Sequence, residues 1–144
     1  EELDAAIDIT IKLNELTNAF LTKGLVDLGI LQGELTQLIK DKKIKDYFIH
    51  GLGHWLGLDV HDVGDYHINT DREQRRAFEP GMVMTIEPGI YIPLSDVSVA
   101  EKWRGIGIRI EDNIAVTATG FENLTVNSPE TIADIEALML AVKV

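Results

Sequence analysis

The residues able to do chemistry concentrate in one stretch and at two later glutamates. All four histidines lie between His50 and His67. Within HGLGHWLGLDVHD, His50, His54 and His61 are interleaved with Gly51, Gly53 and Gly57. Imidazole is the commonest metal ligand and the side chain most easily tuned near neutral pH. Glycine lets backbone approach a bound group closely. The plain alternative is a set of loop histidines that cap turns or pair with Asp59, Asp62 or Asp65, because no short zinc-type spacing is complete here.

The glutamates sit in strand-like text. In MVMTIEPG, alternation puts Thr85 and Glu87 on one face and Met82, Met84 and Ile86 on the other. In GIGIRIED, Ile106, Ile108 and Ile110 take one face, the expected core side, and Gly105, Gly107, Arg109 and Glu111 the opposite one. The glycines leave room for a ligand, and Arg109 suits a carboxylate or carbonyl. A solvent-facing Arg and Glu beside an edge is the competing reading, since polar-outward alternation is the default. Taken together, one imidazole and two carboxylates could meet at a manganese, iron, cobalt or zinc ion. A paired-metal site normally needs further, bridging carboxylates.

The elements that must position these groups follow from periodicity. Residues 2–28 read as a helix, with Ala6, Ile9, Leu13, Leu16 and Phe20 on one face and Leu3, Ile7 and Ile11 widening the stripe. Gly24 weakens it and Gly29 stops it. A shorter helix is expected over 34–42, where Lys40, Lys42 and Lys43 suit its C-terminal end. Tyr47-Phe48-Ile49 is a β-prone lead into His50, and Glu79-Pro80-Gly81 signals a turn. Strands are expected over 82–92, with a break at Pro88-Gly89, and over 105–118, with a loop at 94–103 between them and a turn at Thr119-Gly120. Ser128-Pro129 predicts an N-cap and first turn for a helix over 129–142 with Ile132, Ile135, Leu138 and Met139 as its apolar face. Helices, then strands, then one helix imply an α+β fold with a mostly antiparallel sheet.

Composition narrows the function classes. The chain has 144 residues, enough for one domain, with 45% hydrophobic and 26% charged residues. It contains no cysteine, so disulfides, thiolate ligands and a thiol nucleophile are excluded. A cytoplasmic protein is the natural expectation. The net charge of −11 argues against a nucleic-acid or anionic-membrane partner. No run of roughly 18 apolar residues suggests a membrane span, and no basic segment followed by an apolar one suggests a signal peptide.

The strings HGLGHWLGLDVHDVG, EPGMVMTIEPGIYIP and RGIGIRIEDNIAVTATGFENLT, in that order, resemble the C-terminal catalytic domain of the aminopeptidase P (Xaa-Pro aminopeptidase) family. The resemblance runs over essentially the whole chain. It implies the pita-bread fold, shared with methionine aminopeptidase, prolidase and creatinase. The choice within that group rests on the surroundings of Trp55, the short segment between Tyr91 and Arg104, and Trp103-Arg104-Gly105. Prolidase, which cleaves Xaa-Pro dipeptides, is the nearest alternative. A non-catalytic peptide-binding module of the same fold is a more distant one, since such modules usually lose their metal ligands.

Carried over by position, the resemblance implies that His54, Glu87 and Glu111 are metal ligands, with Glu87 also the general base and Glu111 bridging two ions. His61 would stabilise the tetrahedral intermediate or orient the carbonyl. His50 would line the substrate pocket, Arg109 support the site and Tyr91 help shape the pocket. The implied cofactor is a pair of divalent ions, usually manganese, and the implied substrate a peptide with proline second. Two further aspartate ligands belong to the family's pattern. Asp4, Asp8 and Asp27 lie in or beside the first predicted helix, not in the matching strand context. Residues 1–144 are therefore expected to be the C-terminal portion of the catalytic domain, with an incomplete site and weak metal binding. Without a cation, Glu87 and Glu111 should repel. An uncovered apolar surface should favour a homo-oligomer.

Overall fold

The computed structural model describes residues 2–70 and 75–141, with side chains from Lys12 onward in the first helix. The order is α1 (Glu2–Asp27), α2 (Leu35–Lys40), β1 (Val83–Ile86), β2 (Gly89–Tyr91), β3 (Gly107–Arg109), β4 (Asp112–Thr117), β5 (Gly120–Asn123) and α3 (Ile132–Ala141). Short 3₁₀ turns occupy Lys43–Asp46 and Glu101–Trp103. The α+β expectation and the antiparallel sheet are as the sequence implies.

α1 ends where Gly29 takes a left-handed φ of 72°. The chain then folds back so that the Ile30 N–H donates to the Leu25 carbonyl at 2.8 Å, satisfying a helix-end acceptor. The expected apolar stripe is only partly the buried one. Leu13, Leu21 and Leu25 face the core, whereas Leu16 and Phe20 are 60% and 77% exposed. Between them Thr22 is fully buried, its hydroxyl returned to the Asn18 carbonyl at 2.6 Å. The stripe residues Leu3, Ala6, Ile7, Ile9 and Ile11 lie outside the described side chains. In α2, the Glu34 carboxylate accepts the Gln37 N–H at 2.8 Å. Backbone N–H groups of the first turn hold its carboxyl below the usual range.

The core gathers Leu25, Ile30, Ile44, Tyr47, Phe48, Leu52, Ile92 and Val99. Ile86 and Ile90 pack against it. Ile108 and Ile110, expected on the core face, are instead 61% and 45% exposed. The core cluster thus reaches Ile86 of β1 and Ile90 of β2 but leaves Ile108 of β3 uncovered.

β1 pairs with β4 and β2 with β3, and the two pairings share one register: Ile86 opposes Asp112 and Gly89 opposes Arg109. The same count places Glu87 opposite Glu111 at the joint. Pro88, which has no N–H to give to a ladder, interrupts the sheet there. β5 completes the order β1-β4-β5.

α3 begins at Ile132, not at Pro129. The Thr131 hydroxyl accepts the Asp134 N–H at 3.1 Å and donates to the Asp134 carboxylate at 2.6 Å. That makes Thr131 the cap. Ser128 instead closes a turn, its N–H donating to the Thr125 carbonyl at 2.7 Å. The predicted apolar face of α3 is exposed at Ile132, Ile135, Leu138 and Met139. The expected last helical residue, Val142, lies outside the described residues. Among the described residues, no helix is long and apolar enough to cross a membrane.

Candidate metal centre

The segment 52–56 runs antiparallel beside β1. The Thr85 N–H donates to the His54 carbonyl at 2.9 Å, the Glu87 N–H to the Leu52 carbonyl at 2.7 Å and the Leu56 N–H to the Val83 carbonyl at 3.1 Å. This approach requires Gly53: a Cβ there would stand 1.9 Å from the Thr85 carbonyl oxygen. The pairing fixes where His54 enters the site.

The His54 ring is oriented by its own neighbour. Nδ1 lies 2.9 Å from the Trp55 carbonyl, which can only accept, so Nδ1 carries the proton. Nε2 then presents a lone pair, 3.5 Å from Glu87 Oε1. This is the arrangement in which a histidine binds a metal while its other nitrogen is anchored. The His61 ring stacks on that of His54.

Glu87 is 9% exposed. Its Oε1 accepts the Thr85 hydroxyl at 3.3 Å, and its Oε2 lies 3.7 Å from Arg109 Nη1. Arg109 Nε is in turn 3.6 Å from Glu111 Oε2. The guanidinium thus joins the two opposed glutamates, and the repulsion expected between them is offset by a cation of the chain itself. Gly89, opposite Arg109, offers no side chain to compete for the space. The neighbouring Asp112 belongs to a separate network. Its Oδ1 accepts the Thr125 hydroxyl at 2.6 Å, which with the Asn123 side chain holds its carboxyl below the usual range.

His50 is held at the rim of the cleft. Its Nδ1 donates to the Gly51 carbonyl at 2.7 Å, and its Nε2 accepts the Tyr91 hydroxyl at 2.9 Å. Phe48 meets the ring edge-on, centroids 4.9 Å apart. Tyr91 therefore acts on the pocket through His50, a link with no signature in residue spacing.

One cleft of about 410 Å³ is lined by His50, His54, His61, Glu87, Arg109 and Glu111, with Val60 at its edge. The three histidines, two glutamates and arginine named as candidate site residues meet there, whereas Tyr91 does not line the cleft. The fourth histidine does not: His67 bridges to Arg75. Asp27 pairs with Lys23 on the surface of α1, away from the cleft. The side chains of Asp4 and Asp8 lie outside the described residues. Alternation put Thr85 on the Glu87 face, but sequence reasoning gave it no role, because nothing in the spacing shows that its hydroxyl also meets the His54 backbone.

The donor chemistry suits a divalent cation of the manganese-to-zinc series: one imidazole nitrogen with a free lone pair and carboxylate oxygens in a shielded cleft. His54 and Glu87 already converge. Glu111 lies in the same cleft but is engaged by Arg109, so among the described residues no three His, Asp or Glu side chains are arranged to hold an ion.

Comparison with known proteins gives a consistent result. Residues 1–118 match Metallopeptidase family M24. The chain is 53% identical over 118 residues to the Xaa-Pro aminopeptidase of Haemophilus influenzae, covering 82% of this chain and 26% of that protein. It is 52% identical over 123 residues to the Xaa-Pro aminopeptidase of Escherichia coli, covering 85% and 27%. The solved structure of Pseudomonas aeruginosa aminopeptidase PepP superposes with a TM-score of 0.82 at 52% identity, over 89% of this chain and 28% of that one. The chain thus spans about a quarter of the length of these relatives. The neighbours are aminopeptidases P, and the mixed helix and antiparallel sheet agree with half of a pita-bread domain.

Proposed function

Because the chain belongs to metallopeptidase family M24, we propose that residues 1–144 form the C-terminal portion of the catalytic domain of an Xaa-Pro aminopeptidase. The enzyme removes the first residue of peptides that carry proline second. The observation that carries this reading is the convergence of His54, Glu87 and Glu111 in one cleft with His50, His61 and Arg109. The relatives named Xaa-Pro aminopeptidase support the substrate class.

His54 Nε2, Glu87 and Glu111 would hold divalent cations, with manganese the expected metal and two ions the expected number. Such ions supply Lewis acidity toward the peptide carbonyl and toward water. The chain's own groups do the rest. Glu87 takes a proton from the attacking water and passes it to the nitrogen of the leaving proline. His61 faces the carbonyl oxygen and donates to the charge that develops there. His50, steadied by Tyr91, lines the substrate pocket. Arg109 fixes the two glutamates relative to each other. A dedicated pocket is needed because proline lacks an N–H and restricts the residue before it.

With fewer than the full set of carboxylates, this portion alone is expected to bind metal weakly and hydrolyse little. The exposed Ile108, Ile110 and α3 side chains favour self-association, which light scattering at micromolar concentration would check: a stable monomer contradicts it. A cytoplasmic location, supported by the absence of cysteine, completes the reading.

The deciding experiment is a manganese titration of the purified chain at neutral pH, beside a His54→Ala variant. Saturable binding lost in the variant supports the assignment. Equal binding by both removes His54 from the site.

A further inference from the structure

We infer that Thr85 is a positioning residue that locks the relation between two metal donors, His54 and Glu87. The inference rests on the metal-site reading above and deepens it. Thr85 is 0% exposed and sits between two segments that are distant in sequence. Its hydroxyl oxygen accepts the His54 backbone N–H at 3.0 Å. Its proton goes to Glu87 Oε1 at 3.3 Å. A hydroxyl can do both at once, having one donor and two acceptor lone pairs.

The two bonds act on different parts of the site. The first ties down the backbone of the segment that carries the imidazole. The second selects which carboxylate oxygen of Glu87 turns toward His54 Nε2, the oxygen at 3.5 Å. Among the described residues, the other group near Oε1 is His54 Nε2 itself. On the far oxygen, Arg109 is a longer-range neighbour at 3.7 Å and half exposed. Thr85 is therefore a buried side chain that hydrogen-bonds both the His54 backbone and the Glu87 carboxylate. Removing its hydroxyl frees the Glu87 carboxylate to rotate and leaves the His54 N–H without its acceptor. The side chain's methyl and volume play no part in either contact.

The prediction separates the hydroxyl from the volume. Thr85→Val keeps the shape and deletes the hydroxyl, while Thr85→Ser keeps the hydroxyl and deletes a methyl. Each protein is titrated with manganese alone, with free ion followed by its paramagnetic resonance signal, and its metal-free melting midpoint is recorded. The valine variant is expected to bind about 10- to 100-fold more weakly, the usual effect of losing an outer-sphere partner, and the serine variant to stay within about threefold of the parent. A role limited to packing would lower the metal-free midpoint and leave the affinity of the folded protein alone. Should the valine variant fail to fold, Thr85→Ala set against Thr85→Ser makes the same comparison, since those two differ by the hydroxyl only. Equal affinity for that pair, or for valine and the parent, overturns the role of Thr85 while leaving the metal site standing. No saturable manganese binding by the parent overturns the metal site and this inference together.

Discussion

His54 and His61 lie ring on ring, centroids 3.9 Å apart and planes 15° from parallel. The stack restrains the loop that brings His61 back to the cleft, so His61 has a packing duty besides any chemical one. His61→Phe separates them by keeping an aromatic face and deleting the N–H. Manganese affinity should be retained, while hydrolysis of an Xaa-Pro peptide by the full-length enzyme should fall about 10²- to 10³-fold, as for loss of one oxyanion donor. Full activity in the phenylalanine variant would strip His61 of its proposed role.

Arg109 is the cation between Glu87 and Glu111. Arg109→Ala leaves two carboxylates opposed across the ladder with nothing between them. The metal-free protein should lose about 1 kcal/mol, the modest value reflecting a half-exposed guanidinium. Added manganese should restore much of that loss by supplying the missing charge. Melting midpoints with and without the ion test this; a variant as stable as the parent without metal contradicts it.

Gly53 is set by contact, not by flexibility. A methyl group there meets the Thr85 carbonyl at 1.9 Å, which neither backbone can relieve without separating. Gly53→Ala should cost about 3 kcal/mol, at the upper end of overpacking penalties. A urea midpoint unchanged from the parent would show that segment 52–56 does not pack this closely on β1.

Tyr47 and Asp96 make stability depend on pH at both ends. The Tyr47 hydroxyl donates to Asp96 Oδ2 at 3.0 Å. Hydrogen bonds from the Ser98 hydroxyl, then the Ser98 backbone and Tyr47, hold the Asp96 carboxyl below its usual range. Burial, and then the hydrogen bond to the Asp96 carboxylate and its charge, push the Tyr47 hydroxyl up. The depressed carboxyl stabilises the fold above its unfolded value near pH 4, and that contribution fades as pH falls through the folded value. The raised phenol stabilises below about pH 10 and its contribution fades as pH climbs through its folded value. Asp96→Asn should flatten the acid limb of a plot of urea midpoint against pH. Parallel limbs for variant and parent would refute the assignment.

Much of this was legible from residue types. The glutamate strands, the break at Pro88 and the histidine stretch led to one cleft because strand alternation is a rigid rule. What stayed hidden had no periodic signal. Alternation puts Thr85 on the Glu87 face, but it cannot show that the hydroxyl is fully buried between Glu87 and the His54 backbone. α1 has apolar residues on more than one side, so periodicity alone chose Leu16 and Phe20, while packing chose Leu21 and Leu25. Ile108 and Ile110 alternate as a core face should, but alternation cannot say whether anything covers that face. At α3, Ser128-Pro129 has the chemistry of a helix start, but Thr131 with Asp134 offers a reciprocal pair and wins.

The histidine that presents its lone pair rides on a segment stitched to β1 and the adjoining Glu87 by three backbone hydrogen bonds, so affinity and sheet integrity are one quantity. Each time that seam unzips, His54 leaves Glu87. Apparent affinity is then the intrinsic affinity multiplied by the fraction of time the seam is shut. A bound ion, conversely, should clamp the seam and slow amide exchange along 52–56 and β1 together, turning two neighbouring stretches of chain into a single cooperative unit.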